Sequence, residues 1–398
     1  MTGRVPCALS AMGMVNALGR DPDEIWPRLL AGDQSHFRAR DDLVPGRSLI
    51  VAQVASPLPE VPARLVRFAC RNNALSLAAL GQIEREIGEA VARFGAGRVG
   101  VVMGTSTCGV GDAEAAIRQR VETGRLAPAF HYAQLEFGGA AAFVSEYLGV
   151  TGPVYTISTA CSSGARALVS ARSLLALGVC DAVVAGATDS LCGLTTNGFS
   201  ALQAVSDEIT NPCSESRNGL TLGEGSVMFL ATREARGIQL LGVGESSEAH
   251  HMSAPDPEGM GAEQAMRGAL RDAGMAPGEI AYLNLHGTGT PLNDAMECAA
   301  VARCFPAPPP ASSTKPLVGH ALGAAGAMEA GFCWLALRHA SGGELPLPPH
   351  VYDGRWDPAL AAVPLATKGM RVPLGAVMTN SFGFGGNNCT LVLARGPA

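Results

Sequence analysis

A chain of 398 residues, 47% apolar and 16% charged, carries enough apolar sequence for a large core and reads as a compact globular protein. Its net charge of −6, the lack of any basic run and an aromatic content of 5% leave no footing for a nucleic-acid partner. No uninterrupted apolar run reaches membrane-spanning length, and eleven cysteines scattered without a C-x-x-C point to reduced thiols, so a cytoplasmic protein with no membrane partner is expected.

From the N-terminus, the stretch from Val5 to Leu18 loosely imitates a signal peptide, but Asn16 and the glycines around it suit a first core strand and its turn. Arg64, Arg67 and Arg71 follow at i, i+3 and i+7, a spacing that predicts one helical face with Phe68 at its margin and Leu65 toward the core. Apolar runs then predict strands at 99–103, 154–157, 182–185, 227–230, 280–285, 376–378 and 390–393. Between several of them, Ala-rich segments predict helices at 163–177, 262–273, 292–304 and 321–340. The Pro-rich pieces at 306–316 and 345–349 read as extended loops. The alternation signals α/β, and 49 glycines with few aromatics suit layered sheets and helices better than a bundle. No repeat is visible, and Gly237, Gly242 and Gly244 offer a weak midpoint.

The strongest chemical signal is Val154-Tyr-Thr-Ile-Ser-Thr-Ala-Cys161-Ser-Ser-Gly-Ala, which puts Cys161 at a strand-to-helix turn. Facing a helix's unpaired N–H groups and positive dipole end, its thiol is expected to favour the thiolate, with a lowered pKa. A cysteine without that context would read as a small buried hydrophobe. Two histidines end strands or loops just before helices, in Leu283-Asn-Leu-His286-Gly-Thr-Gly-Thr-Pro and Lys315-Pro-Leu-Val-Gly-His320-Ala-Leu-Gly. Glycine beside each ring leaves room for a substrate, and neutral Nε–H donors can stabilise an enolate forming on a thioester oxygen. Either histidine alone would read as a hydrogen-bonded core residue; with Cys161 they form a constellation, whereas His250 and His251 have no comparable setting. Near the C-terminus, Asn380-Ser-Phe-Gly-Phe384-Gly-Gly-Asn-Asn is a Gly-rich loop between two strands. It lacks the ending and the helix of a P-loop, and a turn bringing a backbone N–H and the Phe384 ring to the centre fits better. The histidines and cysteines show no metal-ligand spacing, so no metal is expected.

Together these motifs resemble the β-ketoacyl-acyl carrier protein synthases, in particular the elongating thiolase-fold enzymes with a Cys-His-His centre. The resemblance covers nearly the whole chain and takes in Gly198-Phe199-Ser-Ala-Leu, Gly223-Glu224-Gly225, His251-Met-Ser-Ala-Pro-Asp-Pro-Glu-Gly and the helix carrying Glu329. It implies two pseudo-symmetric α/β halves in a layered α-β-α-β-α core, with residues 1–243 carrying the nucleophilic cysteine and 244–398 carrying both histidines. The implied reaction is a decarboxylative Claisen condensation: an acyl group passes from acyl carrier protein to Cys161, and malonyl carrier loses carbon dioxide and attacks it. His286 and His320 would polarise the malonyl thioester, backbone N–H groups of Cys161 and Phe384 would form the oxyanion hole, and Phe384 would gate the site. Lys315 matches the family's lysine, tied to a glutamate that Glu329 would supply, where an ordinary surface lysine is the competing reading. Thr288 and Thr290 match positions near the pantetheine arm or the malonyl carboxylate, a role compatible with starting the next helix. Phe199 and Thr107 match the substrate pocket, with Thr107 as a small polar gate for the acyl chain. Asp294 and Glu297 match acids that brace the loops. No cofactor is implied beyond the phosphopantetheine of the carrier.

Some motifs depart from the family. The cysteine motif begins Ser-Thr where relatives have Asp-Thr, Pro212-Cys-Ser-Glu replaces Pro-Phe-Asp, and Asn387 stands where Thr or His is common. These changes suggest a specialised branch. The opening Ser10-Ala-Met-Gly-Met-Val-Asn-Ala-Leu-Gly, Arg71-Asn-Asn and Leu292-Asn-Asp-Ala-Met-Glu-Cys look most like ketosynthases of aryl polyene or xanthomonadin-type pathways, with fatty-acid elongation as the alternative. Because acyl carriers are acidic, Arg64, Arg67 and Arg71 are the expected docking face, against the reading of a merely solvated helix face. A homodimer is expected, or a heterodimer with a chain-length-factor-like subunit. A non-catalytic chain-length partner would have replaced Cys161, and an initiating synthase would lack His320. A thiolase would carry a second cysteine in Cys-x-Gly, where Cys389 here precedes Thr390 and Leu391.

Overall fold

The structure is a computed structural model that describes residues 5–397. Runs of Val, Ala and Met that are apolar on both faces make central strands. The first five are β1 (Ala8–Asn16), β2 (Val99–Gly104), β3 (Val154–Ile157), β4 (Ala182–Asp189) and β5 (Gly225–Thr232). The next five are β6 (Ile238–Ser247), β7 (Ile280–Asn284), β8 (Ala311–Ser312), β9 (Ala376–Gly383) and β10 (Asn387–Arg395). Their spatial order is β3-β2-β4-β5-β1-β6-β10-β9-β7-β8. In the first set β3, β2 and β4 run parallel and β5 joins β4 and β1 antiparallel; β8, β7, β9, β10 and β6 repeat that plan. The two halves are joined through the pairing Ala8↔Gln239.

Helices cover every face. On the outside of the first half lie α1 (Arg71–Leu80) and α2 (Phe137–Leu148), and α3 (Ser163–Ala176) lies in the middle. Outside the second half lie α4 (Met260–Ala273) and α5 (Pro291–Cys304), while α6 (Ala325–Arg338) packs on α3 and on strands of both halves. Side-chain alternation along β2 records the layers: Val99, Val101 and Met103 enter the outer core with Phe143, and Val102 enters the middle core with Ala167 and Leu168. This is the α-β-α-β-α layering of the thiolase fold. Because α6 is enclosed on all sides, every residue from Ala325 to Leu337 is buried, and it shows no polar face.

The residues at 243 and 244 lie inside β6, a strand of the second half. Its glycines serve contact with a helix. A Cβ on Gly242 would stand 2.3 Å from the Ala269 carbonyl oxygen, and one on Gly244 1.9 Å from that of Ala265. Two further expectations change. The helix expected over 321–340 is a 3-10 turn, Leu322–Ala324, followed by α6, because Leu322 sits at φ 50 and interrupts the helical path. The Pro-rich stretch at 306–316 contains β8 and enters a helical turn, Lys315–Val318, in which Pro316 occupies an early position where its missing N–H is harmless.

Gly244→Ala is therefore expected to destabilise the fold by about 2 kcal/mol or more, since its methyl group meets backbone that cannot yield cheaply. Urea unfolding checks this, and an unchanged midpoint would contradict the packing described.

Candidate active site

Cys161 is delivered by a tight turn between β3 and α3. Ala160 adopts φ 52, a left-handed conformation that is costly for alanine. The Ser163 hydroxyl holds it by donating to the Ala160 carbonyl at 2.6 Å and accepting the Thr159 N–H at 2.8 Å. His286 follows the end of β7, where both Glu297 carboxylate oxygens accept N–H groups, from His286 and from Gly287, at 2.8 Å each. Asn380 on β9 steadies Glu297 with a third donor at 3.1 Å. His320 is fixed through its backbone, donating to the Thr221 carbonyl at 2.7 Å and accepting from Gly223 at 3.0 Å.

These turns bring the three side chains together. His320 Nε2 lies 3.1 Å from Cys161 Sγ, and the two imidazoles meet edge to face with centroids 5.4 Å apart. The three side chains' potential ligand atoms all lie within 4.8 Å of one another. Sequence spacing could not show this proximity, because the three residues lie far apart along the chain.

Burial controls their ionisation. Lys315 and Glu329 are both buried and pair at 2.5 Å, so Lys315 is no surface lysine. Its ammonium also donates to the His286 carbonyl oxygen and stands 3.5 Å from His286 Nδ1. An ammonium offers donors alone, so that Nδ1 faces it as acceptor and Nε2 carries the ring proton. Desolvation first, then the Lys315 charge, holds both His286 and His320 well below the usual imidazole range, and both rings are neutral. Desolvation likewise raises the Glu329 carboxyl against the pull of Lys315.

The thiol departs from the expectation of a lowered pKa. Desolvation pushes Cys161 up to about 11, opposed by the Lys315 charge and by the N–H groups of Phe384 and Cys161. The helix begins two residues beyond Cys161, and its dipole does not offset the loss of water. Cys161 is thus a neutral thiol at rest beside a neutral imidazole.

A cavity of about 340 Å³ opens onto Cys161, His286 and His320, with Thr288, Thr290, Phe199 and Phe384 in its wall. The Thr288 and Thr290 hydroxyls bond to each other at 2.9 Å, and the Phe199 and Phe384 rings tilt together with centroids 5.3 Å apart. Asp294 accepts N–H groups from Cys213 and Gly289, as a loop brace would. His250 and His251 are exposed and outside the cavity lining. Thr107 also lies outside that lining, fully buried, with its hydroxyl spent on Asp189 at 2.8 Å, so it presents no free polar group.

The arginine face needs correction. Arg64 and Arg67 lie in a 3-10 segment, Ala63–Phe68, while Arg71 opens α1 after Cys70, whose φ −151 and ψ 164 break the helix. Arg64 donates to the carbonyls of Glu146 and Tyr147 at the end of α2, and Arg67 pairs with the Glu146 carboxylate. Arg71 points inward and pairs with the fully buried Glu224. Asp189, by contrast, was missed: an acid closing an otherwise apolar strand was the available signal.

Comparison with known proteins follows this geometry. Residues 5–236 match the family profile "Beta-ketoacyl synthase, N-terminal domain", and residues 238–344 match "Beta-ketoacyl synthase, C-terminal domain". The chain is 31% identical to a "3-oxoacyl-[acyl-carrier-protein] synthase 2" of Coxiella burnetii, covering 97% of this chain and 98% of that one. It is similar to a chain of the solved "Ketosynthase (ApeO) in Complex with its Chain Length Factor (ApeC) from Xenorhabdus doucetiae", at 45% identity and TM-score 0.93 over 98% of both chains. A "Beta-ketoacyl synthase from Burkholderia phymatum" superposes with TM-score 0.84 at 29% identity, covering 98% of this chain and 100% of that one.

A thiol that titrates at about 11 holds little thiolate near neutrality, so alkylation of Cys161 by iodoacetamide is expected to accelerate about tenfold per pH unit from pH 7 to 9. Peptide mapping reads the rate, and a plateau below pH 8 would contradict the buried thiol. Arg71→Ala strands the Glu224 carboxylate and is expected to cost about 3 kcal/mol in urea unfolding.

Proposed function

Because this chain belongs to the β-ketoacyl synthase family, we propose that it condenses an acyl group held on Cys161 with malonyl-acyl carrier protein, giving 3-oxoacyl-acyl carrier protein and carbon dioxide. The observation that supports it is Cys161 Sγ 3.1 Å from His320 Nε2, with His286 across from it, at the floor of an open cavity.

In the first half-reaction the Cys161 sulfur attacks the acyl thioester carbon, the carrier's pantetheine sulfur leaves, and the Cys161 proton ends on that sulfur. The thiolate forms with the substrate present. The N–H groups of Cys161 and Phe384, which already face the sulfur, form the oxyanion hole for the tetrahedral carbon. In the second, the neutral His286 and His320 rings hold the malonyl thioester oxygen while the carboxylate departs as carbon dioxide. The resulting enolate carbon attacks the acyl carbon on Cys161, the cysteine sulfur is expelled as thiolate, and it takes one proton from solvent once the product leaves, so that each turnover consumes one proton. Thr288 and Thr290 line the approach of the pantetheine arm, Phe199 and Phe384 its inner wall, and Lys315 sets the proton of His286 on Nε2.

The pathway proposed is aryl polyene or related polyene synthesis. It rests on the sequence motifs named above and on the 45% identity to a chain of the ketosynthase and chain length factor complex. The curated relatives named 3-oxoacyl-acyl carrier protein synthase support fatty-acid elongation as the second reading. By analogy with that complex, the working form pairs this chain, which retains Cys161, with a chain-length-factor-like subunit. The edge strand β3 leaves Val154 exposed, and the neighbouring segment exposes Ile117, Val121, Tyr132 and Phe137, an apolar surface that such a subunit would cover. For carrier docking, Arg64 and Arg67 remain exposed at the end of α2, while Arg71 is withdrawn.

Intact-mass analysis with a panel of acyl carriers, followed by malonyl carrier, tests the reaction and its starter together. Wild type is expected to gain one acyl group and then release it as 3-oxoacyl carrier. Cys161→Ala is expected to gain none, and His286→Ala to load but condense at least a hundredfold more slowly. Equal loading of Cys161→Ala would falsify the nucleophile assignment.

A further inference from the structure

Asp189 ends β4 with its side chain fully buried, and among the described residues no cation is one of its hydrogen-bond partners. Burying a carboxylate away from water is costly unless donors replace the solvent. Here five groups do so: the hydroxyl of Thr105 at 2.7 Å, the N–H of Ser106 at 2.8 Å, the N–H and the hydroxyl of Thr107 at 2.8 Å each, and the N–H of Ala324 at 3.2 Å. Three of the five are backbone N–H groups, which can only donate. The site therefore requires an acceptor on both oxygens, and an asparagine would turn a donor against donors.

The segments that donate flank the reacting side chains. The Ser106 hydroxyl reaches the carbonyl of Ala160, the residue before Cys161, at 3.4 Å. Ala324 lies four residues beyond His320, in the turn that Leu322 enters at φ 50. A Cβ on Gly323 would stand 2.7 Å from the Ser106 hydroxyl and 2.8 Å from Asp189 Oδ2, so the two segments touch through this carboxylate. Three non-glycine residues in left-handed conformation lie beside the segments it bonds: Cys108 at φ 46, Ala160 at φ 52 and Leu322. Such strain persists only where surrounding bonds over-determine it, and the Asp189 hydrogen bonds are of that kind.

We propose that Asp189 is a positioning residue for the reaction at Cys161, its carboxylate clamping the 105–107 loop and the turn after His320 into one bracket that fixes the approach of Sγ to Nε2. The proposal rests on the condensation reading for its consequence in turnover, but the bracket itself is tested without substrate. Asp189→Asn keeps the volume and removes the acceptor. In the full chain, Cys161 alkylation at pH 7 is expected to slow at least tenfold, because a displaced but still buried Sγ loses the Lys315 charge and the N–H groups of Phe384 and Cys161 that favour its thiolate. Removing a nearby negative charge with geometry intact would do the reverse, making the thiol more acidic and its alkylation faster, so the sign separates positioning from electrostatics. With carriers, kcat is expected to fall at least tenfold while KM for malonyl carrier stays within twofold, and Asp189→Glu is expected to recover part of both losses. If Asp189→Asn does not fold, Thr105→Val and Thr107→Val each remove one donor and are expected to shift alkylation in the same direction by smaller factors. Alkylation at or above the wild-type rate in a folded variant overturns the bracket. A wild-type chain that no acyl carrier loads overturns the condensation reading, and the alkylation arm still decides the role of Asp189.

Discussion

The ion pair between Lys315 and Glu329 stands buried beside His286, and the properties of the centre depend on that loss of solvent. In such surroundings an isolated ammonium would be intolerable, and the carboxylate makes it possible; the pair then acts as a fixed field on its neighbours. It faces one imidazole nitrogen of His286 with a donor and thereby settles where the proton sits. The same loss of solvent keeps both rings neutral and the thiol protonated, so the resting site stores no thiolate and waits for a substrate to complete its solvation. A neutral imidazole is also the form suited to donating to an enolate, because a charged ring would give up its proton to it.

The geometry around this pair comes from the meeting of two similar halves. One half contributes Cys161 at the end of β3, and the other contributes His286 at the end of β7 and His320 ahead of α6. Close contact at the seam depends on residues without side chains. Gly164 at the start of α3 would place a Cβ 2.8 Å from that of Ala327 on α6, so the two middle helices approach only because this position is glycine. Rigid contact of this sort transmits small displacements directly to the reacting atoms, which is the setting in which a bracket such as that at Asp189 matters.

Outside the centre, the surface is divided between polar tethers and bare apolar groups. Arg64 and Arg67 finish the α2 terminus by supplying donors to its last carbonyls, as basic side chains commonly do there. Beyond them, the edge strand β3 and the exposed apolar residues from Ile117 to Phe137 form the surface proposed for a second subunit.

Much of the fold and the centre was legible in the residues. Apolar runs located most of the strands within a few positions, though not β6 or β8, and glycines beside His286 and His320 marked turns where a substrate comes close. Both are local patterns, fixed by period and by backbone freedom. The sequence misled where the deciding partner lay far along the chain. Arg71 shares a helical spacing with Arg64 and Arg67, yet it turns toward Glu224, 153 positions later, behind a break at Cys70. Gly242 and Gly244 looked like a midpoint between the halves because glycine serves loose linkers and close packing equally, and only α4 lying against β6 shows which. The acidity of Cys161 was misjudged for the same cause: a helix start is visible in sequence, but the number of waters removed from a sulfur is set by segments folded over it from elsewhere. The residues by themselves marked the reactive groups and the turns that carry them; tertiary structure decided which distant partners they meet and what charge they hold, because contact and desolvation are properties of the surroundings and not of the motif.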